Sequence, residues 1–142
     1  MESFNLLSNK MKNKIWDMGW EVFTEIQDKA IPVIVNTKKD VIISSSTASG
    51  KTEAAFLPIL SLIEEDLKTS LKVLYISPLK ALINNQFDRI ENLISSLNIN
   101  VYRWHGDISH SKKIKFLKEG NGILQITPES LESLFINRTN YL

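Results

Sequence analysis

The sequence predicts an α/β fold, a mostly parallel β-sheet with helices on both faces, preceded by a helical stretch. Two observations lead there. Short β-rich runs of strand length recur along the chain, and amphipathic helical patterns fill the intervals between them. Strand and helix in alternation mark βαβ units, whose crossovers keep the sheet parallel and place helices against both sides.

Residues 1–39 carry no strand pattern and read as helical, and residues 40–142 read as the α/β core. The strand runs are Asp40 to Ser46 (DVIISSS), Lys72 to Ser77 (KVLYIS), Asn100 to His105 (NVYRWH) and Gly122 to Thr127 (GILQIT). The clearest helical face is Ile83, Phe87, Ile90, Ile94 and Leu97, whose alternating spacings of four and three put all five on one side. Phe56, Leu60, Ile63 and Leu67 form a second. No internal repeat, low-complexity tract or Pro/Gly-rich linker interrupts the 142 residues, so one domain is expected.

Composition excludes several classes. Apolar residues make up 43% and charged residues 23%, close to globular averages and unlike a disordered tail. No apolar run approaches the roughly 18–20 residues that span a bilayer, and the strongest, Ala54 to Ile63, is interrupted by Pro58. A membrane partner is therefore not expected. The opening MESFNLLSNKMKNKIW scatters Asn and Lys and does not resemble a secretory signal. With no cysteine there is no disulfide framework, thiolate metal site or thiol nucleophile, which suits a reducing cytoplasm. The net charge of +1 does not exclude a nucleic-acid partner, since Lys and Arg can be gathered on one face.

The most specific local signal is SSTASGKT, Ser45 to Thr52, which follows the first strand run and passes directly into a helical pattern. This is the strand, loop, helix context of a phosphate-binding loop. In such a loop the N–H groups of Ser46, Thr47, Ala48, Ser49 and Gly50 and of the helix start point at phosphates, and Gly50 permits close approach. Lys51 would reach the β and γ oxygens, and Thr52 would place its hydroxyl on Mg²⁺. The general pattern has Gly first, where Ser45 stands here. Glu53 falls in the first helical turn, where it complements the helix dipole and does not read as a catalytic acid.

With these residues in place the chain resembles superfamily 2 helicases of the DEAD and DExH-box kind, whose loops often read Thr-Ala-Ser-Gly-Lys-Thr, as Thr47 to Thr52 do. The resemblance implies a P-loop NTPase (RecA-like) fold and ATP with Mg²⁺ as cofactors. Phe23, Thr24, Glu25, Ile26 and Gln27 are similar to the Q motif, with Phe23 where members often carry Pro. The family's Gln amide reads the adenine edge, a role implied for Gln27. Trp16, Trp20 or Phe23 either stack on the base or belong to the core.

Ile76, Ser77, Pro78, Leu79, Lys80, Ala81 and Leu82 resemble motif Ia, above all that of the large helicase-related branch. Thr127, Pro128 and Glu129 resemble motif Ib. Both motifs touch the backbone of the bound strand in that family, and a strand end feeding a helix start presents free N–H groups to phosphate. Taken alone, Pro78 marks a helix N-terminus. Trp104, His105, Gly106 and Asp107 close the third strand, where the family has a Gly-containing motif beside the nucleic-acid track. Gly106 either permits close approach to a phosphate or serves as a turn glycine. His105, with only His110 nearby, does not read as a metal ligand. Lys112, Lys113, Lys115 and Lys118 form either a solvated helix face or a nucleic-acid contact.

The resemblance also sets out what catalysis would need. Family members carry an Asp-Glu motif on the strand after motif Ib and an arginine finger on a second RecA-like domain. The sequence runs 13 residues beyond Glu129 with no Asp-Glu pair. Loss of an arginine finger alone costs about 10³ to 10⁵ in rate, so this chain by itself is expected neither to turn over ATP nor to unwind a duplex. The remainder of a helicase, or its second RecA-like domain, is an expected partner. The strands that would pair beside the phosphate loop leave an apolar edge uncovered, which predicts marginal stability or self-association. Outside this resemblance, a small P-loop phosphotransferase and a non-catalytic nucleotide- or nucleic-acid-binding module remain as alternatives.

Overall fold

Helices occupy much of residues 1–39, and the helix after the phosphate loop packs with them. The computed structural model describes residues 2–64 and 70–137, in two units, Met1–Glu65 and Asp66–Leu142. Leu67 of the second predicted face, and the tail from residue 138 to Tyr141 and Leu142, lie outside the described residues.

In the first unit a short 3-10 helix, Ser3–Leu6, leads into α1 (Asn9–Asp17), α2 (Glu25–Asn36) and α3 (Lys51–Ile63). Side chains fix where each begins. The Ser8 hydroxyl accepts the Met11 N–H to start α1 and donates to Glu64 at the end of α3 at 2.5 Å. Thr24 and Gln27 form a capping box that starts α2, satisfying two donors that a helix N-terminus would otherwise leave orphaned. Met11, Ile15, Ile31, Ala54, Leu57 and Leu60 are fully buried between these helices, each large one contributing about 1.5–3 kcal/mol.

The predicted strand at Asp40 to Ser46 does not form. Strand geometry persists only where a neighbour completes the hydrogen-bond ladder, and among the described residues no strand pairs with this segment. Its Ile42 is 95% exposed.

The second unit holds the sheet. The three later runs form β1 (Leu71–Ile76), β2 (Val101–Trp104) and β3 (Gly122–Ile126), parallel and ordered β1-β3-β2. Ile76 and Trp104 both pair with Ile126, so the C-terminal ends of all three strands lie level. Crossover helices α4 (Lys80–Ile94) and α5 (His110–Glu119) connect them, and α6 (Pro128–Asn137) follows β3. On one face Leu124 and Ile126 are buried against Phe116 of α5 and Leu134 of α6, with Tyr102 and Trp104 beside them. The other face meets α4, whose Ile83, Ile90 and Ile94 are buried, as is Leu97 just beyond it. Phe87 is only half buried and carries the Arg103 guanidinium, 4.7 Å from its ring centre. Gly122 has φ +88, and a Cβ there would lie 2.1 Å from the Asn100 carbonyl oxygen, so only glycine fits the start of β3.

Candidate functional site

The loop at Ser45 to Thr52 is built from α2 as much as from its own residues. Thr24 Oγ1 accepts the Gln27 N–H while donating to the Ser49 carbonyl at 2.9 Å. Gln27 Oε1 accepts the Thr24 N–H, and its Nε2 donates to the Gly50 carbonyl at 3.3 Å. The capping box therefore pins two successive loop carbonyls, turning the loop onto the start of α3. Gln27 is 2% exposed, with both ends of its amide engaged by protein backbone. The family resemblance implies that this amide reads a base edge; in the structure it holds the loop.

Two left-handed residues shape the turn: Ala48 at φ 58 and Gly50 at φ 84. A Cβ on Gly50 would lie 2.3 Å from Gln27 Nε2, so the glycine admits the amide that pins it. Lys51 opens α3, and its Nζ donates to the Ser45 and Ser46 carbonyls at 2.7 and 2.6 Å. An ammonium at a helix N-terminus opposes the helix dipole, and here loop carbonyls compensate it. Thr52 follows in the first turn, and Glu53, 6% exposed, supplies the turn's one acidic residue.

A cleft of about 360 Å³ lies against this loop, lined by Thr24, Glu25, Ile26, Lys29, Ser44, Ser45 and Ser49. Ile26 belongs to the Q-motif segment, whereas Lys29 and Ser44 were not expected at a site from sequence. The available signal was the spacing of Glu25 and Lys29, which form an i,i+4 ion pair at 2.5 Å. Of the candidate stacking aromatics, Trp16 and Phe23 group around Phe4, at 5.7 and 6.5 Å between ring centres.

A second group of candidates meets at the C-terminal ends of the strands. Ser77, Thr127 and His105 close β1, β3 and β2, and all three are buried. The Ser77 N–H donates to the Ile126 carbonyl and the Thr127 N–H to the Trp104 carbonyl. Thr127 Oγ1 accepts the Ser130 N–H, starting α6 with Pro128 and Glu129 in its first turn. Pro78 precedes Leu79, the N-cap of α4, and Lys80 is that helix's first residue. Lys80 Nζ meets both Asp107 carboxylate oxygens at 3.2 Å, and a Cβ on Gly106 would lie 3.7 Å from it. That is ordinary van der Waals contact, so the Lys80 head does not itself require glycine at position 106. Asp107, three-quarters exposed, holds that head only weakly.

His105 is fixed beneath this surface. Its Nδ1 accepts the Asp107 N–H at 3.3 Å, and Nε2 lies 3.1 Å from Asn84 Oδ1. Accepting at Nδ1 requires the proton on Nε2, so the ring is neutral. Burial pushes its pKa below the usual histidine value, against an opposing pull from the Asp107 carboxylate. Both ring nitrogens are engaged by protein groups. The lysine cluster on α5 divides: Lys113 lies over Trp104, 5.7 Å from the ring centre, whereas Lys112 and Lys115 face a groove beside β2.

A model of the DEAD/DEAH box helicase family matches residues 24–142. The chain belongs to that family. Among its relatives, a probable ATP-dependent RNA helicase of Methanocaldococcus jannaschii is 30% identical over 115 residues, covering 81% of this chain and 31% of the relative. The ATP-dependent helicase Lhr-Core of Sulfolobus acidocaldarius is 39% identical over 124 residues, covering 78% of this chain and 14% of the relative. The solved helicase MrfA bound to DNA superposes with a TM-score of 0.81 at 26% identity, over 96% of this chain and 19% of that one. Prp28 of Chaetomium thermophilum bound to ADP gives 0.82 at 26%, over 94% and 33%. This chain therefore spans about a third or less of each, and its fold is the RecA-like α/β fold of their helicase domains. No helix among the described residues is long and apolar enough to cross a membrane.

Proposed function

We propose that this chain binds ATP and Mg²⁺ through the loop at Ser45 to Thr52 and the backbone of a DNA or RNA strand through motifs Ia and Ib, as the nucleotide-binding part of a cytoplasmic helicase. The observation that carries it is the pinned loop: Thr24 and Gln27 hold the Ser49 and Gly50 carbonyls, directing the opposite, N–H side of the loop and the start of α3 toward an anion. The residues fit the group. The Ser49 hydroxyl is shielded from solvent without a hydrogen-bond partner among the described residues, and Gly50 admits no Cβ. Lys51 would exchange the Ser45 and Ser46 carbonyls for phosphate oxygens, and Thr52 would offer its hydroxyl to the metal. The bound nucleotide supplies the phosphoanhydride whose cleavage drives such helicases. This chain's residues bind and orient it, and hydrolysis and unwinding are assigned to an Asp-Glu motif and arginine finger supplied from outside these 142 residues.

Lys80 and the N–H groups at the starts of α4 and α6 would take strand phosphates, with Pro78, Leu79, Gly106, Thr127, Pro128 and Glu129 shaping that surface. Support comes from the level strand ends, which bring motifs distant in sequence side by side, and from solved relatives bound to DNA and to ADP. Filter binding tests both halves. Lys51→Ala should weaken ATP binding about 10–100-fold, the worth of a charge-assisted hydrogen bond, and leave single-stranded nucleic acid bound. Lys80→Ala should do the reverse. If neither substitution changes either affinity, both site assignments fail.

A further inference from the structure

We propose that the open edge of β2 is a docking site for an extended acidic segment of another protein, which adds to the sheet as a neighbouring strand. The first ground is the backbone. The Asn100 and Trp104 carbonyls accept from β3, and in a parallel ladder alternate residues face alternate sides. Val101 and Arg103 therefore turn their N–H and C=O groups away from β3. Among the described residues no strand takes them, and an extended peptide matches such a row.

The second ground is the space and charge alongside. A groove of about 760 Å³ follows β2, with Phe87 and Ile94 of α4 supplying apolar wall and Lys112 and Lys115 of α5 supplying charge. The Arg103 guanidinium is pre-oriented within it, stacked on Phe87 and donating through Nη1 to Asn84 Oδ1 at 3.2 Å. An arginine so held keeps its remaining donors for a carboxylate and loses little freedom on binding one. Three cations against Glu91 select an acidic occupant.

The third ground is position. The groove follows the latter half of α4 and the residues from Ile99 to Arg103, whereas motifs Ia and Ib lie at the C-terminal strand ends. Its occupant thus need not compete with a bound strand. Nucleic acid also lacks the alternating N–H and C=O groups that the open edge would pair.

The test titrates the whole 142-residue chain with a soluble octapeptide alternating Glu and Thr, followed by backbone NMR. Saturable shifts should centre on the Val101 and Arg103 amides. Lys112→Glu with Lys115→Glu should weaken binding at least about tenfold, as should methylating alternate peptide nitrogens. Val101→Pro removes an outward donor at an edge position that tolerates proline and should do the same, and the charge reversals decide the matter if that variant fails to fold. Absence of shifts, binding indifferent to N-methylation, or equal binding of a thymidine oligonucleotide in the same groove would overturn the proposal.

Discussion

Ala48 and Gly50 both sit in the left-handed region, but only Ala48 carries a Cβ there. A left-handed non-glycine residue costs roughly 1–2 kcal/mol, so Ala48→Gly should raise stability despite glycine's greater entropy when unfolded, as a higher urea midpoint would show. A lower midpoint would mean the turn does not hold this geometry. His105 makes a pH prediction. Its folded pKa lies below the 6.5 of an ordinary histidine, so the native state binds fewer protons than the unfolded chain near that value. Its contribution is fully present above pH 6.5 and is lost as pH falls through the folded pKa. Urea midpoints should therefore decline below neutrality, and His105→Gln should flatten the decline. Such partnerships were not legible in sequence. The Gly-Lys-Thr of the loop and the Q-motif segment from Phe23 to Gln27 are local patterns, whereas the meeting of His105 with Asn84, or Lys80 with Asp107, depends on how strands align.

At the scale of elements, local propensity recovered β1, β2 and β3 to within a residue or so at each end, and failed at Asp40 to Ser46. The reason is physical: apolar β-branched residues report willingness to be a strand, and pairing decides. The central strand β3 carries a different discord. Gln125 is fully buried, and neither Oε1 nor Nε2 finds a partner among the described residues. An unsatisfied buried amide costs about 1–3 kcal/mol, so Gln125→Leu should stabilise the second unit by about that much in equilibrium unfolding. Destabilisation would show that the amide is satisfied in solution. The α5 lysines show the same limit of sequence reading, since four charges on one helix looked alike until the fold sent Lys113 over Trp104 and Lys112 and Lys115 to the groove.

At the scale of the whole molecule, each unit exposes apolar surface that its class of fold normally covers. Val41 and Ile42 are exposed before the loop, and Leu74 and Ile76 along β1, the sheet edge opposite β2. An apolar edge is a template for pairing, so the chain alone should self-associate in sedimentation as concentration rises, and Leu74→Lys with Ile76→Lys should suppress it. A wild-type chain that stays monomeric throughout would contradict this. The central claim, that the loop held by Thr24 and Gln27 binds nucleotide, is tested most directly by titrating ADP and Mg²⁺ while following the backbone amides of Ser45 to Thr52 by NMR. Saturable shifts confined to the loop and the first turn of α3, and abolished by Lys51→Ala, are predicted. Unmoved loop amides, or shifts that survive Lys51→Ala, would contradict it.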